Sequence, residues 1–416
     1  MRKAKTLYIC YFGLREPLVE TQVIPYLREI MKDDIDVALL TFEPNFRKWT
    51  RESIEEQRRK MAEIGIVWHA LGYHKRLSVL ATAYDILRGT IFVRRAISSE
   101  NVDVLHARVH IPALMGALAR KSSRRKPKLL FDIRGFFPEE YTDAGIWPEG
   151  GWLYRVAKRV ERWLLEEADG FVVLTERAKG ILFPGAGDAD ELGRPIEVIP
   201  CCVDLKRFEA FKDSARDKMR QQLGVGGRTV LVYVGSFGGW YLTDEMLAFF
   251  AAARETDPGV FILILTQREQ EAAKEKMRAA GFVDRDFLVT SASPDEMPQY
   301  LCAADAGVSF IKRCYSKQAS SPTKNAEYLA AGLPIIANTG VGDVDDLIKS
   351  AGAGVLVERL DRENYRQAVK EFSSLNETTD HYRQIAEKHF DLQSVGGKRY
   401  RRLYQRLIGA EPIDQK

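Results

Sequence analysis

Short apolar runs alternate with amphipathic stretches along almost the whole chain. The runs are rich in Val, Ile and Leu and predict strands at residues 6–11, 35–41, 64–69, 103–107, 128–133, 170–175, 196–200, 229–235, 259–266, 285–290, 306–311, 333–338 and 353–357. The stretches between most of them carry apolar residues at helical spacing, as in GWLYRVAKRVERWLLEEA (151–168). Nearly continuous apolar strands separated by helices are typical of parallel sheets covered on both faces. The pattern therefore predicts an α/β protein.

The predicted strands fall into two series. The polar stretch EAFKDSARDKMRQQLGVGG (209–227) separates them and follows VIPCCVDLKRF (198–208). Two series of this kind predict two Rossmann-like domains, an N-terminal one over residues 1–204 and a C-terminal one over 205–392. A length of 416 residues also favours at least two domains. The last segment, 393–416, has an amphipathic helical pattern and no strand, and we expect this helix to pack back across the first domain.

Composition narrows the class of protein. Apolar residues make up 45% and charged residues 29% of the chain, as in ordinary soluble globular proteins. No apolar run approaches the roughly 20 residues that span a bilayer, and the N-terminal run is too short and too strand-like for a signal peptide. The five cysteines are scattered without a CxxC pair, which argues against a disulfide framework or a zinc site. We expect a cytoplasmic protein.

The net charge is only +4, but the cations cluster. Six of them lie in RKSSRRKPK (120–128) and five in KRYRRLYQR (398–406). Two interpretations are open: a solvated helix end and loop, or a surface that attracts an anionic membrane or a phosphate-bearing substrate. Nucleic acid is the weaker alternative because no recognition module accompanies the charge.

A helix predicted within SPTKNAEYLAAGLP (321–334) contains an unexpected lysine. Ser321 suits the cap, Pro322 the first helical position and Gly332 the end of this helix. Lys324 lies in the first turn, where a cation opposes the helix dipole unless an anion binds there. The alternative is a solvated pair of Lys324 and Glu327 on a helix end.

Two further segments, each following a predicted strand of the second domain, also indicate an anion site. The strand at 229–235 is followed by the glycine-rich turn GSFGGWY (235–241), whose backbone N–H groups suit phosphate oxygens, although such turns also serve packing alone. The strand at 306–311 is followed by Lys312, Arg313 and Lys317. Ligands of doubly wound sheets bind beyond the carboxyl ends of the strands, so these cations and Lys324 should lie close together.

The chain resembles the GT-B glycosyltransferases, in particular the family-4-like group, over about residues 5 to 405. The motifs that carry the resemblance are GSFGGWY (235–241), SPDEMPQYLCAADAGVSFIK (293–312) and SPTKNAEYLAAGLPIIAN (321–338) in the second half, and DVLHARVHIPA (103–113), FDIRGFFPEE (131–140), ADGFVVLTERAKGIL (168–182) and VIPCCVDLKRF (198–208) in the first. The resemblance implies two Rossmann-like domains whose sheets face each other across a cleft.

The resemblance also implies roles for these residues. Glu327 would accept hydrogen bonds from the ribose hydroxyls of a nucleoside diphosphate sugar, and Lys324 would lie near the diphosphate at the helix N-terminus. The donor-binding set is Gly235, Ser236, Lys312, Ser321, Thr323, Lys324 and Glu327. No metal is expected, because GT-B enzymes generally use protein cations and helix dipoles at the diphosphate.

The sequence departs from the family pattern at three places. Many members carry a sugar-contacting glutamate eight residues before the ribose-binding one, where this chain has Ala319. Many also have an arginine and a lysine after the first glycine turn, where Ser236, Trp240 and Tyr241 stand here. The usual Asn-Gly of the linker motif is Cys201-Cys202. The diphosphate charge is then left to Lys312 and Lys324, with Arg313 or Lys317.

We expect the acceptor to bind at the cleft edge of the first domain, beyond the carboxyl ends of its strands. The strand at 103–107 is followed by Arg108 and His110 and contains His106, and the strand at 128–133 leads into Arg134 and contains Asp132. Related enzymes place a histidine near the reacting sugar, and either His106 or His110 fits that role. Both histidines also suit structural roles, and Asp132 and Arg134 also suit an ion pair that shapes the loop. The predicted catalytic set is His106, Arg108, His110, Asp132, Arg134 and Lys324.

The resulting expectation is a glycosyltransferase that moves a sugar from a nucleoside diphosphate to a glycan, lipid-linked or small-molecule acceptor, with retention of anomeric configuration. The family resemblance implies a role in surface glycan or glycoconjugate biosynthesis. The scattered cysteines favour the cytoplasm, and the basic clusters leave peripheral contact at the inner membrane face open. Two other functions stay open: a nucleotide-sugar epimerase or hydrolase of the same fold, and a noncatalytic nucleotide-sugar-binding subunit.

Overall fold

The computed structural model describes residues 2–74, 78–209 and 213–409, and these form two compact units. The N-terminal unit comprises Met1–Ile199 with Gly396–Lys416, and the C-terminal unit comprises Pro200–Val395. The division falls at 199/200, where the sequence predicted 204/205. The polar stretch 209–227 is part of the C-terminal unit rather than a connector between units.

The N-terminal unit is built on a seven-stranded parallel sheet in the order β3-β2-β1-β4-β5-β6-β7. Its strands are β1 (Ala4–Cys10), β2 (Ile35–Pro44), β3 (Ile66–Tyr73), β4 (Val104–Arg108), β5 (Lys128–Asp132), β6 (Gly170–Val173) and β7 (Ile196–Val198). The strand order reverses between β1 and β4, which creates a crevice at their carboxyl ends where ligands of such sheets bind.

Helices cover both faces of this sheet. They are α1 (Pro17–Gln22), α2 (Ile24–Met31), α3 (Arg51–Glu63), α4 (Ser78–Ser99), α5 (His110–Lys121), α6 (Phe137–Asp143), α7 (Trp152–Glu167) and α8 (Glu176–Leu182), with a short 3-10 segment at Phe46–Lys48. The amphipathic stretch 17–31 forms two helices, because Pro25 lacks the N–H that a continuous helix needs there.

The C-terminal unit contains a six-stranded parallel sheet in the order β10-β9-β8-β11-β12-β13. Its strands are β8 (Val230–Val234), β9 (Phe261–Leu265), β10 (Phe287–Thr290), β11 (Ala306–Ser309), β12 (Ile335–Asn338) and β13 (Gly354–Val357). Its helices are α9 (Lys206–Glu209), α10 (Asp213–Gln222), α11 (Thr243–Thr256), α12 (Gln270–Ala279), α13 (Met297–Cys302), α14 (Thr323–Ala330), α15 (Val344–Ala351), α16 (Arg362–Ser373) and α17 (Thr379–Phe390), with 3-10 segments at Asp284–Asp286 and Tyr315–Ala319. Each of the predicted strands forms within a few residues of its expected position.

The last described helix, α18 (Lys398–Ile408), follows a π-helical turn at Leu392–Gly397 and belongs to the N-terminal unit. It buries Tyr400 and Tyr404 completely or nearly so. Arg401 contacts Glu29 at 2.9 Å, and Arg402 contacts Glu197 at 2.7 Å. The predicted return of the C-terminal helix to the first unit is confirmed.

Both basic clusters bond largely within the protein. In the segment 120–128, Arg120 pairs with Asp169, Arg125 pairs with Asp103, and Lys126 donates to the last carbonyls of α5 at 2.8 and 2.9 Å. The cluster on α18 is bound to the sheet and α2 as described above. Because these cations already have partners, the structure favours the helix-end interpretation over a free binding surface at these two places.

No helix within the described ranges is long and apolar enough to cross a membrane.

Candidate functional site

Helix α14 begins and ends much as its sequence predicts. It starts at Thr323, with Pro322 in the capping position. At its other end Gly332 adopts a φ of +82°, and the N–H groups of Gly332 and Leu333 donate to the carbonyls of Leu329 and Tyr328. This is the Schellman arrangement, which satisfies carbonyls that would otherwise lack donors. The helix is thus fixed at both ends, with its N-terminus at the carboxyl edge of the sheet.

Lys324 lies in the first turn of α14 and is only 6% exposed. Its Nζ atom has no hydrogen-bond partner among the described residues. The atom lies 3.9 Å from the ring centroid of Tyr241 and 4.2 Å from that of Tyr233. Burial lowers the pKa of Lys324 well below its ordinary value, although Glu327 acts in the opposite direction. A desolvated amine without an acceptor is costly to the fold, which is typical of a group kept for binding.

Gly235 at the end of β8 makes room for this lysine. Its φ of +135° is one that residues with a side chain rarely adopt. A Cβ atom there would lie 3.0 Å from the Nζ atom of Lys324 and 3.3 Å from the hydroxyl of Tyr233. The Tyr233 hydroxyl donates to the carbonyl of Ser236 at 2.5 Å and so holds the turn. The glycine turn and the α14 N-terminus therefore meet at Lys324.

Glu327 lies one turn further along α14 and is partly exposed. Burial of its carboxyl group raises its pKa to about 7, while Arg207 and Lys324 act to lower it. Near neutral pH the carboxyl group is therefore divided between its protonated and ionised forms. A ligand whose hydroxyls donate to this group would favour the ionised form.

Two further lysines surround Trp240 in the same turn. The Nζ atom of Lys317 lies 3.9 Å from the Trp240 ring centroid, and that of Lys312 lies 5.9 Å from it. The backbone N–H of Lys312 donates to the Trp240 carbonyl at 2.8 Å, which joins this turn to the segment after β11. Lys317 is buried, whereas Lys312 and Arg313 are exposed. Lys312, Lys317 and Lys324 are thus brought to the glycine turn, whereas Arg313 lies against Gly340.

The other predicted donor-site residues differ in their exposure and contacts. The Ser321 hydroxyl accepts from the Cys201 N–H at 3.0 Å, so it anchors the segment that enters the unit. Thr323 is partly exposed and Ser236 is exposed. Ala319 is buried in the 3-10 segment, and its methyl group cannot replace a carboxylate.

The sequence predictions missed two parts of this site. Tyr233 and Tyr241 pack against the lysine, and Tyr241 was visible in the motif GSFGGWY beside the glycines. Asn325 is 2% exposed, and both polar atoms of its amide lack partners among the described residues. No pattern in the sequence marked this asparagine, since an asparagine in a first helical turn is ordinary.

In the N-terminal unit, a fully buried charge network follows β4 and β5. Asp132 is inaccessible and pairs with Arg134 at 2.8 Å. Its other oxygen accepts from the Tyr400 hydroxyl at 3.0 Å and lies 3.9 Å from Arg108. Burial alone would raise the pKa of Asp132, but Arg134, His106 and Arg108 together hold it below its ordinary value. Asp132 and Arg134 therefore shape this edge, the second of the two roles considered from the sequence.

His106 lies in the same network and has no exposed surface. Its Nδ1 atom is 2.9 Å from the Tyr404 hydroxyl, and its Nε2 atom is 3.4 Å from Asp132. Burial lowers the pKa of His106, against the influence of Asp132. The structure thus places His106 inside the packing between the sheet and α18 rather than on the ligand-facing edge.

His110 lies at the start of α5 and pairs with the buried Glu161 at 2.9 Å. Its ring stacks on Phe137 with a centroid distance of 5.3 Å. The preceding residue, Val109, has a φ of +65° and a ψ of 180°, a conformation that is strained for a β-branched residue. Such strain costs about 1–3 kcal/mol and concentrates at functional sites. Of the two histidines, His110 is therefore the one associated with a strained turn at the switch point.

A third cluster at this edge was not predicted. Asp85 on α4 is fully buried and accepts from the Tyr11 hydroxyl at 2.8 Å. Its other oxygen lies 2.6 Å from the Nδ1 atom of His74. Tyr11 follows β1 and His74 follows β3, so both lie at the carboxyl edge. His74 and Asp85 are 11 residues apart, but Tyr11 is 74 residues from Asp85 and is brought to it by the sheet topology.

The described residues contain no group of three or more His, Cys, Asp or Glu side chains that could hold a metal ion.

Solved structures with the same architecture identify the fold. Sucrose-phosphate synthase from Thermosynechococcus elongatus superimposes with a TM-score of 0.72 at 16% identity, covering 98% of this chain and 100% of that one. HepE from Anabaena, solved in complex with UDP and glucose, gives a TM-score of 0.64 at 16% identity, covering 96% and 99%. With two parallel-sheet Rossmann-like units, the chain has the GT-B fold of glycosyltransferases.

Family comparison is more specific. The family Glycosyltransferase Family 4 matches residues 19–207, and the family Glycosyl transferases group 1 matches residues 215–389. The chain therefore belongs to the family-4-like glycosyltransferases, as its motifs predicted. A curated relative, the 2-deoxystreptamine glucosyltransferase of Streptomyces kanamyceticus, is 33% identical over 195 residues. That match covers 45% of this chain and 47% of the relative, so it spans about half of the relative's length.

Proposed function

We propose that the protein transfers a sugar from a nucleoside diphosphate sugar to an acceptor, and that the nucleotide is UDP. The observation that carries the proposal is the buried Lys324 amine, which lacks a hydrogen-bond partner among the described residues and lies against Gly235 with Glu327 one turn away. A diphosphate would give the amine its missing acceptor. Supporting evidence comes from the family membership and from the UDP bound by HepE.

In this proposal each donor-site residue has a distinct task. Glu327 accepts from the two ribose hydroxyls, which a carboxylate can hold together. Lys324 and the α14 N-terminus bind the diphosphate, with Lys312 at the exposed side. Gly235 keeps the turn close enough for backbone contact with the phosphates. Ser236 and Thr323 contribute polar contacts at the rim, and Ser321 holds the local backbone.

The reaction breaks the bond between the anomeric carbon and the diphosphate oxygen, and the diphosphate leaves with the bonding electrons. Lys324 and the helix N-terminus stabilise the charge that grows on this oxygen. The acceptor oxygen forms the new bond, and its proton passes to the departing phosphate on the same face of the sugar. This sequence retains the anomeric configuration. With Ala319 in place of a glutamate, the donor sugar is held by other groups.

The acceptor is assigned to the carboxyl edge of the N-terminal sheet. We place Arg108 and His110 nearest to it, because the strained Val109 between them lies at the switch point. Asp132, Arg134 and His106 are proposed as positioning residues, since their network fixes Arg108. Candidate acceptors are glycans, lipid-linked sugars and small molecules of surface glycan or glycoconjugate biosynthesis. We propose a cytoplasmic protein with peripheral contact at the inner membrane face and no nucleic-acid partner.

No metal takes part in this proposal, and we expect transfer to continue after chelation. Activity measured in EDTA should equal activity measured with added Mg²⁺ or Mn²⁺, because cationic side chains supply the positive charge at the diphosphate. Loss of turnover in EDTA that returns with a divalent ion would contradict this.

The test of the function is a transfer assay with defined products. The protein is incubated with a panel of UDP-sugars and a glycolipid and glycan extract of its host, and mass spectrometry follows both substrates. The proposal predicts release of UDP together with an acceptor that gains one sugar mass. Free sugar or an isomerised donor formed without extract would support a hydrolase or epimerase. Donor binding without turnover on any acceptor would support a noncatalytic subunit.

The pKa of Glu327 predicts a pH dependence of donor binding. Only the ionised carboxylate accepts from both ribose hydroxyls, so binding should shift the group toward ionisation and release protons. Because the pKa is about 7, affinity for UDP-glucose should fall as the pH drops from 8 to 6, approaching about tenfold per unit at the acid end. Calorimetry in buffers of different ionisation enthalpy measures both quantities.

The matched control for this experiment is Glu327→Gln, which keeps the size of the side chain and cannot titrate. Its affinity should be lower than that of the wild type at pH 8 and nearly constant between pH 6 and 8. Parallel pH profiles for the two proteins would mean that Glu327 does not contact the donor. UDP-glucose is preferred to UDP because its diphosphate does not titrate in this range.

A further inference from the structure

Helix α4 carries an apolar stripe on its solvent-facing side. Leu80 is 70% exposed, Leu87 58%, Tyr84 49% and Ile91 43%. The spacing of these four residues places them in one row along the helix. Scattered exposed apolar residues are normal in globular proteins, but a continuous row is typical of an interaction surface.

A second apolar group lies on α7 and the loop before it. Trp152 is 67% exposed, Ile146 65% and Val156 53%. Trp152 and Val156 are four residues apart and share one face of α7. Tryptophan with flanking aliphatic residues is the composition found where proteins meet the headgroup region of a bilayer.

Helix α5 connects these two groups, since it packs against α4 on one side and α7 on the other. Its outward row consists of Ile111 and Leu114, which are partly exposed, and Leu118, which is 38% exposed. The exposed sides of α4, α5 and α7 therefore form one apolar surface on the N-terminal unit. We call it the three-helix face.

The exposed charged residues of these three helices are cations, apart from Glu166 in the last turn of α7. Arg94 and Arg95 continue the row of α4, and Arg155, Arg159 and Arg162 lie on the exposed side of α7. No ion pair or side-chain hydrogen bond joins Arg94, Arg95, Arg159 or Arg162 to the rest of the described chain. Glu149, which is also exposed, precedes α7 by three residues. These free arginines differ from Arg120 and Arg125 of the segment 120–128, which have internal partners.

We infer that the three-helix face docks the protein on a membrane containing anionic lipid, with the apolar row at the acyl boundary and the arginines on the phosphates. Interfacial helices combine an apolar face with flanking cations in this way. A second copy of the chain fits less well, because a two-fold contact would oppose the free arginines of both copies. This inference rests on the proposed function and deepens it, because a transferase docked on a membrane would act on a lipid-linked acceptor.

Vesicle binding tests the inference without requiring turnover. The full chain is sedimented with vesicles of phosphatidylcholine alone and of phosphatidylcholine with 30% phosphatidylglycerol. We expect binding to the anionic vesicles that weakens as salt is added. The paired change Arg94→Ser with Arg159→Ser should weaken it by about tenfold or more, since each cation near such a surface contributes separately. Leu87→Ser with Trp152→Ser should reduce binding at every salt concentration.

Matched controls lie elsewhere on the chain. Arg285 and Arg359, which are 87% and 81% exposed, allow a paired change to serine with the same loss of charge. Leu192, 76% exposed on the N-terminal unit, allows a matched apolar change to serine. These controls should bind vesicles as the wild type does, and all variants should bind UDP equally.

The inference is overturned if the wild type stays in the supernatant with anionic vesicles, or if face and control variants bind alike. It is also overturned if the wild type is a dimer that the face variants convert to monomers, because a second copy would then cover the surface. If the protein binds UDP but does not bind anionic vesicles, the membrane-docking inference is wrong and the transferase proposal is unaffected.

Discussion

Lys324→Met should stabilise the ligand-free protein and abolish most of its transferase activity. The wild-type amine is nearly inaccessible and has no hydrogen-bond acceptor among the described residues. Burial of such a group costs about 1–3 kcal/mol, and its contacts with the rings of Tyr233 and Tyr241 offset only part of this cost. Methionine fills similar space without that cost, so the free energy of unfolding should rise by about 1 kcal/mol. The rate of transfer should fall by about 100- to 1000-fold if Lys324 meets the leaving diphosphate.

Urea unfolding with and without UDP, together with initial rates, measures both effects. UDP should raise the unfolding midpoint of the wild type more than that of the variant, because the variant binds it more weakly. Lys312→Met is the matched control, since this lysine is exposed near the same turn; its stability should not change. A Lys324→Met protein that is less stable without ligand and retains its rate would show that the lysine is structural.

Asp132→Ala should have the largest effect on stability. The change leaves Arg134 and Arg108 buried without their carboxylate and removes the acceptor of Tyr400. Breaking a buried ion pair on one side costs about 3–5 kcal/mol, a large share of the stability of an ordinary domain. In chemical unfolding monitored by circular dichroism, the N-terminal unit of the variant should unfold at a lower denaturant concentration than that of the wild type.

Two further variants make this result specific. Adding Arg134→Met to Asp132→Ala should restore part of the lost stability, because one uncompensated charge is removed. Glu55→Ala breaks an exposed pair with Arg58 and should change stability by about 0.5 kcal/mol or less. If Asp132→Ala were as mild as Glu55→Ala, the buried network would not be what fixes this edge of the sheet.

The sequence predicted the fold well because the fold depends on a pattern that is local. Runs such as 229–235 and 333–338 are mostly apolar, as is typical of strands covered on both faces. Glycine and proline signals located the ends of α14 within a residue. The structure divides the chain at 199/200 where the sequence predicted 204/205: the charged stretch 209–227 reads as a linker, but α10 within it belongs to the C-terminal unit.

The candidate site was predictable only in part. Lys324 was noticed because a cation opposes the dipole of its helix, but its burial depends on Tyr233 and Tyr241, which tertiary packing brings to it. The burial of His106 depends on Tyr404, almost 300 positions away in the chain. The sequence likewise could not show that Arg125 and Lys126 have internal partners while Arg94 and Arg159 do not.

A crystal structure of the complex with UDP would show directly whether Lys324 and Glu327 bind a nucleoside diphosphate. We expect a diphosphate oxygen within about 2.7–3.2 Å of the Lys324 Nζ atom and the ribose hydroxyls on the Glu327 carboxylate. UDP bound elsewhere, or bound with the Lys324 amine still touching only the rings of Tyr233 and Tyr241, would contradict it.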